Sequence, residues 1–122
     1  MLGLIRPQHL DHLFRGPILA AALALSFVAA PVSHAQDADV IQFAFQPTPL
    51  QLAVGTTVTW TNHDSIVHSV THGTPDAPGG SFDSGLFDEN QTFSFTFTDA
   101  GDYTYFCMRH NFMRGTISVT PG

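Results

Sequence analysis

A thiol, an imidazole and a thioether follow one another at three-residue steps near the end of the chain. They belong to Cys107, His110 and Met113, and Cys107 is the only cysteine among 122 residues. These donors together form a soft ligand set, which selects copper over magnesium or calcium. A second imidazole, from His68, would complete a trigonal site of two histidines and one cysteine with a weak axial methionine, the arrangement used in blue-copper electron transfer. The sequence therefore predicts one copper ion held by these four side chains.

Each of these residues also has a purely structural interpretation when it is considered alone. A buried cysteine is more often a small hydrophobic residue than a ligand, and Met113 or His68 alone would be an ordinary core or strand residue. Residues 105–107 also mimic the Tyr-x-Cys of immunoglobulin domains, but that disulfide requires a second cysteine. Zinc is the rival ion, although a thioether is a poor zinc ligand. We interpret His63 and His72 as surface loop residues, with an additional weak metal site as the alternative.

The first 35 residues have the pattern of an export signal. Arg6 and Arg15 lie in a polar leader, an apolar run follows at 17–32, and small residues at Ser33 and Ala35 occupy the positions that a signal peptidase reads. The apolar run is shorter than the roughly 20 residues of a membrane span. We therefore predict a cleaved signal peptide over 1–35 and a periplasmic protein without stable membrane insertion, with an uncleaved anchor as the alternative.

Cleavage after Ala35 would leave residues 36–122 as one small domain, large enough to bury a core without disulfides. A lone thiol in an exported protein needs another explanation, and metal ligation provides one. The net charge of the whole chain is −6, and because the leader contributes +1, the rest carries −7. Its two cations, Arg109 and Arg114, lie within or beside the ligand loop. This distribution argues against nucleic-acid binding, which needs a broad basic surface, and indicates an acidic body with a locally positive rim.

Short alternating runs separated by turn residues predict an all-β fold after the leader. The clearest is 92–98, where three phenylalanines alternate with serine and threonines, as is typical of a half-buried strand. Further strands are predicted at 41–45, 50–54, 57–61, 67–71, 102–107 and 115–120, and a surface loop at 73–83. About seven short strands in this length favour a Greek-key two-sheet β-sandwich with no second domain.

The ligand loop carries a family resemblance. Residues 101–107, continuing through His110 and Met113 to Gly115, resemble the copper loop of cupredoxins, most closely the amicyanin, pseudoazurin and plastocyanin group. Four upstream segments resemble the same family in the same order: 58–62, 68–70, 82–86 and 91–93. The resemblance implies a cupredoxin-like sandwich and one type 1 copper bound by His68, Cys107, His110 and Met113. It also implies that His110 comes near the surface and is the usual port for electrons.

The resemblance implies a function in which no substrate is transformed. We expect a monomeric electron shuttle, not an enzyme, that docks transiently with redox partner proteins near His110. Arg109 and Arg114 would favour a partner with an acidic patch. A copper storage or delivery protein of the same fold is the alternative. A copper oxidase or nitrite reductase would need further domains and additional histidine ligands, commonly as His-x-His, and this chain has no such motif.

Three positions depart from the family pattern. Many members have asparagine after the first histidine, where it helps to tie the two ligand loops together, and this chain has Ser69. Loop prolines common in the family are replaced by Arg109 and Asn111. Asn111 therefore has a backbone N–H that could donate to the Cys107 sulfur, and hydrogen bonds to that sulfur tune the reduction potential. We expect a different fastening of the loops and a shifted potential.

Overall fold

The computed structural model describes Gly3 and residues 34–122. Residues 34–122 belong to the second of two units into which the chain divides, Val32–Gly122. The signal peptide predicted over 1–35 lies outside the described residues, apart from Gly3, His34 and Ala35, so its cleavage stays a prediction. In the part of the chain that is described, no helix is long and apolar enough to cross a membrane.

The described chain forms nine strands. They are β1 (Ala35–Ile41), β2 (Ala44–Gln46), β3 (Leu50–Ala53), β4 (Thr56–Asn62), β5 (Thr71–Thr74), β6 (Ala77–Asp83), β7 (Thr92–Phe97), β8 (Gly101–Phe106) and β9 (Arg114–Thr120). A four-stranded sheet has the order β2-β1-β4-β7, and a five-stranded sheet has the order β3-β9-β8-β5-β6. The chain passes repeatedly from one sheet to the other, and β1–β4 and β3–β9 are parallel pairs. The predicted all-β, two-sheet sandwich is confirmed.

Aromatic residues from both sheets fill the core. Val58 and Trp60 in β4 and Tyr105 in β8 have no solvent exposure, and the rings of Trp60 and Tyr105 pack edge to face. Burial of such a side chain stabilises the fold by about 1.5–3 kcal/mol. Gly115 makes room for the Tyr105 ring, because a Cβ at that position would lie 2.2 Å from Cζ of the tyrosine. Burial raises the pKa of the Tyr105 phenol to about 12, although the Trp60 N–H, which donates to its oxygen, opposes the shift.

The single strand predicted at 41–45 was wrong, because a tight turn divides it. β1 ends at Ile41 and β2 begins at Ala44, and the two residues between them have φ angles of 52° (Gln42) and 57° (Phe43). Left-handed backbone costs a residue with a side chain roughly 1–2 kcal/mol. Two-residue hairpin turns of this hand usually contain Asn-Gly or Asp-Gly. Neither residue here is a turn former, and the regular alternation of apolar side chains concealed the turn.

The strand predicted around His68 begins later, at Thr71. His68 itself makes an isolated bridge with Phe87, in which the two backbone N···O distances are 2.9 and 3.3 Å. Its neighbour Ser69 donates its backbone N–H to the Cys107 sulfur at 3.4 Å instead of to an adjacent strand. The segment is therefore held partly by the backbone of Phe87 and partly by the Cys107 sulfur.

The prediction of a loop at 73–83 was wrong, because this segment pairs as strands. It belongs mostly to a hairpin in which β5 pairs with β6, with an irregular register between Thr71 and Gly73. The prediction of surface location was correct for β6, because every residue of that strand except Phe82 is exposed. Glycine and proline in the strand suggested a loop, and edge position in the sheet explains why they are tolerated there.

Candidate metal centre

Three of the four predicted ligand side chains meet where β8 ends and β5 and β9 begin. Nδ1 of His68 lies 3.8 Å from Sγ of Cys107, and Nδ1 of His110 lies 3.7 Å from the same sulfur. All three atoms lie within 4.8 Å of one another. His68, Cys107 and His110 are the one group among the described residues in which three or more His, Cys, Asp or Glu side chains are close enough to bind a metal ion together.

The spacing of these atoms fits a single metal ion. Bonds from zinc, which neighbours copper in the first transition row, to thiolate and imidazole are about 2.3 and 2.0–2.1 Å long. Two such donors separated by 120° around one ion would be about 3.8 Å apart, and by a tetrahedral angle about 3.6 Å apart. The observed sulfur-to-nitrogen distances of 3.8 and 3.7 Å are therefore those expected when the thiolate and each imidazole bind the same ion. A trigonal set of two imidazoles and one thiolate is the donor set of blue-copper sites.

The loop between β8 and β9 is closed by its own backbone. The N–H of Cys107 donates to the carbonyl of Met113 at 3.3 Å, and the N–H of Met113 donates to the carbonyl of His110 at 2.9 Å. These bonds turn the chain back within seven residues. Cys107 and His68 are fully buried, and Met113 is 2% exposed and belongs to the same buried cluster as Cys107. His110 is only half-buried, so its ring is the part of the centre nearest to solvent.

Ser69 fastens the two ligand segments together. Its hydroxyl accepts the Met108 N–H at 2.8 Å, beside the N–H that its backbone donates to the Cys107 sulfur. The Thr71 hydroxyl donates to Asp83, so the Ser69 hydroxyl must donate to Thr71, at 2.9 Å. The result is a directed chain of hydrogen bonds from the ligand loop to a carboxylate.

The sulfur has a different backbone donor from the one expected. In the described chain that donor is Ser69, whereas Asn111 had been the sequence-based candidate. Asn111 uses its carbonyl instead, which accepts from Nε of Arg114 at 2.6 Å. The Ser69 hydroxyl and the Ser69 backbone N–H both join the two segments. That this fastening differs from the one in the family stays a prediction.

Asp64 orients the first histidine and was not recognised from the sequence. Its Oδ2 lies 2.8 Å from Nε2 of His68, so that nitrogen carries the proton and Nδ1 presents its lone pair toward the sulfur. The carboxylate also accepts the backbone N–H groups of Gln42 at 2.8 Å and Phe43 at 3.0 Å. Burial alone would raise the pKa of Asp64, but the two backbone donors and His68 outweigh it and hold the pKa below its usual value. The carboxylate is therefore charged.

Phe43 was missed as well, and its ring touches both histidines. Ring centroids lie 5.3 Å from His68 and 5.0 Å from His110, with nearly perpendicular planes in both pairs. Phe43 also stacks with Phe112 at 6.3 Å. Phe43 and Phe112 are both exposed large hydrophobic residues, and both rings contact His110; Met108, two residues before His110 in the chain, is exposed as well. The strand predicted at 41–45 gave no reason to expect the Phe43 ring beside the two histidines.

The charges around His110 favour its neutral form. Burial of the ring lowers its pKa, and the nearby His68 and Arg109 lower it further, while Asp64 acts in the opposite direction. A neutral imidazole is the form that binds a metal. The lowered pKa of His110 therefore favours the neutral ring, which is the form that its predicted role requires.

The two other histidines near the first ligand lie outside the centre. His63 is exposed, and its Nε2 lies 2.7 Å from a carboxylate oxygen of Asp39. His72 lies in β5 and not in a loop, where it stacks on Phe82 at 5.2 Å. Its Nδ1 accepts the backbone N–H of Ser81 at 3.1 Å. Neither belongs to a metal-binding group within the described residues.

Comparison with known proteins assigns the chain to a family. The sequence model of the copper-binding proteins of the plastocyanin/azurin family matches residues 32–120. Amicyanin from Paracoccus denitrificans is 34% identical over 94 residues, which cover 76% of this chain and 72% of that protein. Plastocyanin from Scenedesmus fuscus is 32% identical over 90 residues, which cover 67% and 92%.

Solved structures show the same likeness in three dimensions. A Cu(I) structure of an amicyanin variant superimposes with a TM-score of 0.62 at 34% identity and covers 70% of this chain and 82% of its own. A purple cupredoxin from Nitrosopumilus maritimus gives a TM-score of 0.64 at 26% identity and covers 70% and 99%. With the fold and the geometry of the donor atoms, these matches establish that the chain belongs to the plastocyanin/azurin family of copper-binding proteins. Its cofactor is copper.

Proposed function

We propose that His68, Cys107, His110 and Met113 together hold one type 1 copper ion and that the protein passes single electrons between redox partners. It is a small blue-copper electron carrier. Bound copper would supply a one-electron couple between Cu(II) and Cu(I). The observation that carries the proposal is the pair of sulfur-to-nitrogen distances, 3.8 and 3.7 Å, in a buried centre made by two separate segments.

A carrier needs a site that changes little when the electron arrives. The sandwich supports that requirement, because Cys107 and His68 are fully buried and both are held by neighbours. Asp64 fixes the His68 ring, and the backbone of Ser69 donates to the sulfur. Met113 would complete the proposed set as the fourth donor, from the closing end of the loop, and it is buried in the same cluster as Cys107.

We infer that electrons enter and leave through His110. Its ring is the part of the centre nearest to solvent, and the exposed rings of Phe43 and Phe112 lie against it, with exposed Met108 two residues before it in the chain. Such a surface supports brief docking, since it can be dehydrated at low cost. Arg109 and Arg114 are the only Lys or Arg residues among residues 34–122, and both lie within or beside the loop that carries His110. A partner with an acidic patch fits this combination best.

The proposed location is the periplasm, and the proposed working form is a monomer that transforms no substrate. Residues 1–35 support export by their composition, and a lone cysteine in an exported protein supports metal ligation. The predicted boundary between signal peptide and domain falls at Ala35, which is also the first residue of β1. Four protein ligands leave no evident position for a substrate on the ion.

The experiment that tests the function is copper loading of purified protein followed by visible spectroscopy and voltammetry. An electron carrier should give an intense thiolate-to-copper band and a reversible one-electron wave. A pale Cu(I) protein that readily yields its metal to a chelator would instead identify a copper delivery protein and overturn the proposal. Serine at Cys107 is the matched control, because it removes the sulfur and keeps the side-chain volume nearly constant.

A further inference from the structure

The turn between β1 and β2 is held by a residue far away in sequence. Gln42 and Phe43 have left-handed backbones, with φ of 52° and 57°, which neither side chain favours. Both of their N–H groups point to one carboxylate, that of Asp64, at 2.8 and 3.0 Å. Hydrogen bonds to a charged acceptor are roughly twice as strong as neutral ones. The Asp64 carboxylate can thus stabilise a turn that its own sequence disfavours.

The same carboxylate and the same turn both reach the metal centre. Asp64 accepts a hydrogen bond from Nε2 of His68 at 2.8 Å. Phe43 packs its ring edge to face against His68 and His110, with centroid distances of 5.3 and 5.0 Å. The two imidazoles therefore share an aromatic neighbour, Phe43, whose backbone N–H is held by the residue that already orients one of them.

We propose that Asp64 is a positioning residue that locks Phe43 against both histidine rings, so that the turn at 42–43 forms a clamp on the metal centre. The inference rests on the proposed assignment of His68 and His110 as ligands. The clamp acts mainly on His110, because His68 is already buried and fixed by its own hydrogen bond. His110 is half-buried on a surface loop, and Phe43 supplies a wall from a different part of the chain.

Phe112 is the other aromatic residue near His110, and it is poorly suited to the same role. Its ring lies 6.1 Å from His110, it is 70% exposed, and it belongs to the same loop as the histidine. Phe43 is closer, less exposed and attached to the opposite sheet. Phe112 therefore provides a matched control, since it is an exposed phenylalanine that touches the same ring without being held by Asp64.

The first test uses copper-free protein and nuclear magnetic resonance, so it does not depend on the metal. Asp64→Ala should accelerate amide exchange at Gln42 and Phe43 on the order of tenfold or more, because two charge-assisted hydrogen bonds are lost. Contacts between the Phe43 and His110 rings should disappear. Adding Gln42→Gly should restore these contacts in part, since glycine adopts positive φ without a side-chain penalty. Asp39→Ala removes an equal charge from β1 and should change neither measurement.

The second test measures loss of copper to a chelator from loaded protein. Phe43→Ala and Asp64→Ala should accelerate the loss on the order of tenfold, as is usual when the support of a ligand is removed. Phe112→Ala should accelerate it less than about twofold, because its ring does not hold the histidine. Phe43→Ala leaves the Asp64 hydrogen bonds in place, so it tests the same contact even where Asp64→Ala does not fold.

The results separate this proposal from the assignment of function. Unchanged amide exchange and unchanged ring contacts in Asp64→Ala would overturn the clamp, as would equal copper loss from Phe43→Ala and Phe112→Ala. Survival of the thiolate-to-copper band after Cys107→Ser would overturn only the ligand assignment. The measurements on copper-free protein would still test the contact between Phe43 and His110, because they do not involve the metal.

Discussion

Replacing Ser69 by alanine should destabilise the domain far more than its small change in volume suggests. The Ser69 hydroxyl is fully buried and makes two hydrogen bonds, from the Met108 N–H at 2.8 Å and to Thr71 at 2.9 Å. Two lost neutral hydrogen bonds account for about 2 kcal/mol, and a partly buried N–H left without an acceptor can add about 1 kcal/mol or more. We therefore expect the free energy of unfolding to fall by about 2–4 kcal/mol.

Urea denaturation of the copper-free protein measures this loss. The midpoint should fall by at least about 1 M at an unchanged slope, because the variant alters stability and not the surface exposed on unfolding. Ser94→Ala is the matched control, since the Ser94 hydroxyl makes an exposed bond of 2.7 Å to Thr59. That change should cost less than about 0.5 kcal/mol.

The comparison also tests where the serine acts. Its backbone N–H, which donates to the Cys107 sulfur at 3.4 Å, remains in the alanine variant. The copper-loaded variant should therefore keep its visible band while it unfolds at lower urea. Equal losses of stability in Ser69→Ala and Ser94→Ala would refute the reasoning, because the buried fastening would then contribute no more than a surface contact.

Three other predictions concern the core and the docking surface. Burial raises the pKa of Tyr105 to about 12, against about 10 in the unfolded chain. The free energy of unfolding should therefore not change below pH 10 on account of this group and should fall by about 3 kcal/mol between pH 10 and 12. Tyr105→Phe should remove this pH-dependent loss of stability in urea titrations. Gly115→Ala would place a Cβ 2.2 Å from the Tyr105 ring, so it should lower the free energy of unfolding by about 1–3 kcal/mol. Thr116→Ala on the exposed face of the same strand should change it little. Equal losses of stability in the two variants would contradict this packing. Reversing Arg109 or Arg114 to glutamate should slow electron transfer from an acidic partner at low ionic strength without altering the copper spectrum; unchanged rates in both variants would exclude the positive rim from docking.

The sequence predicts most of the sandwich because the relevant signals are local. Strands β4 and β7 each alternate large apolar side chains with threonine and serine. The two strands pair with each other, so their apolar side chains lie on the same face of the sheet. The ligand loop is equally readable, since the donor type of each residue and the three-residue steps are visible without any structure. The positions of His68, Cys107 and His110 within one cluster follow from this loop and the family resemblance.

The parts that were missed depend on partners distant in sequence. Nothing in the alternation of residues 41–45 signals a turn, because the left-handed backbone at Gln42 and Phe43 is stabilised by Asp64, which lies 22 and 21 residues away. Since the turn was missed, Phe43 was assigned to a strand and its contact with both histidines could not be anticipated. Asp64 itself carried one weak signal, its position four residues before a proposed ligand, which suits a carboxylate that orients an imidazole.

The visible spectrum of copper-loaded Cys107→Ser, measured beside the unaltered protein, tests the central claim most directly. The unaltered protein should show an intense thiolate-to-copper band and a reversible one-electron wave. The variant should lose both, because the sulfur lying 3.8 and 3.7 Å from the two imidazole nitrogens is gone. Persistence of the band, the wave and the copper affinity in the variant would contradict the account.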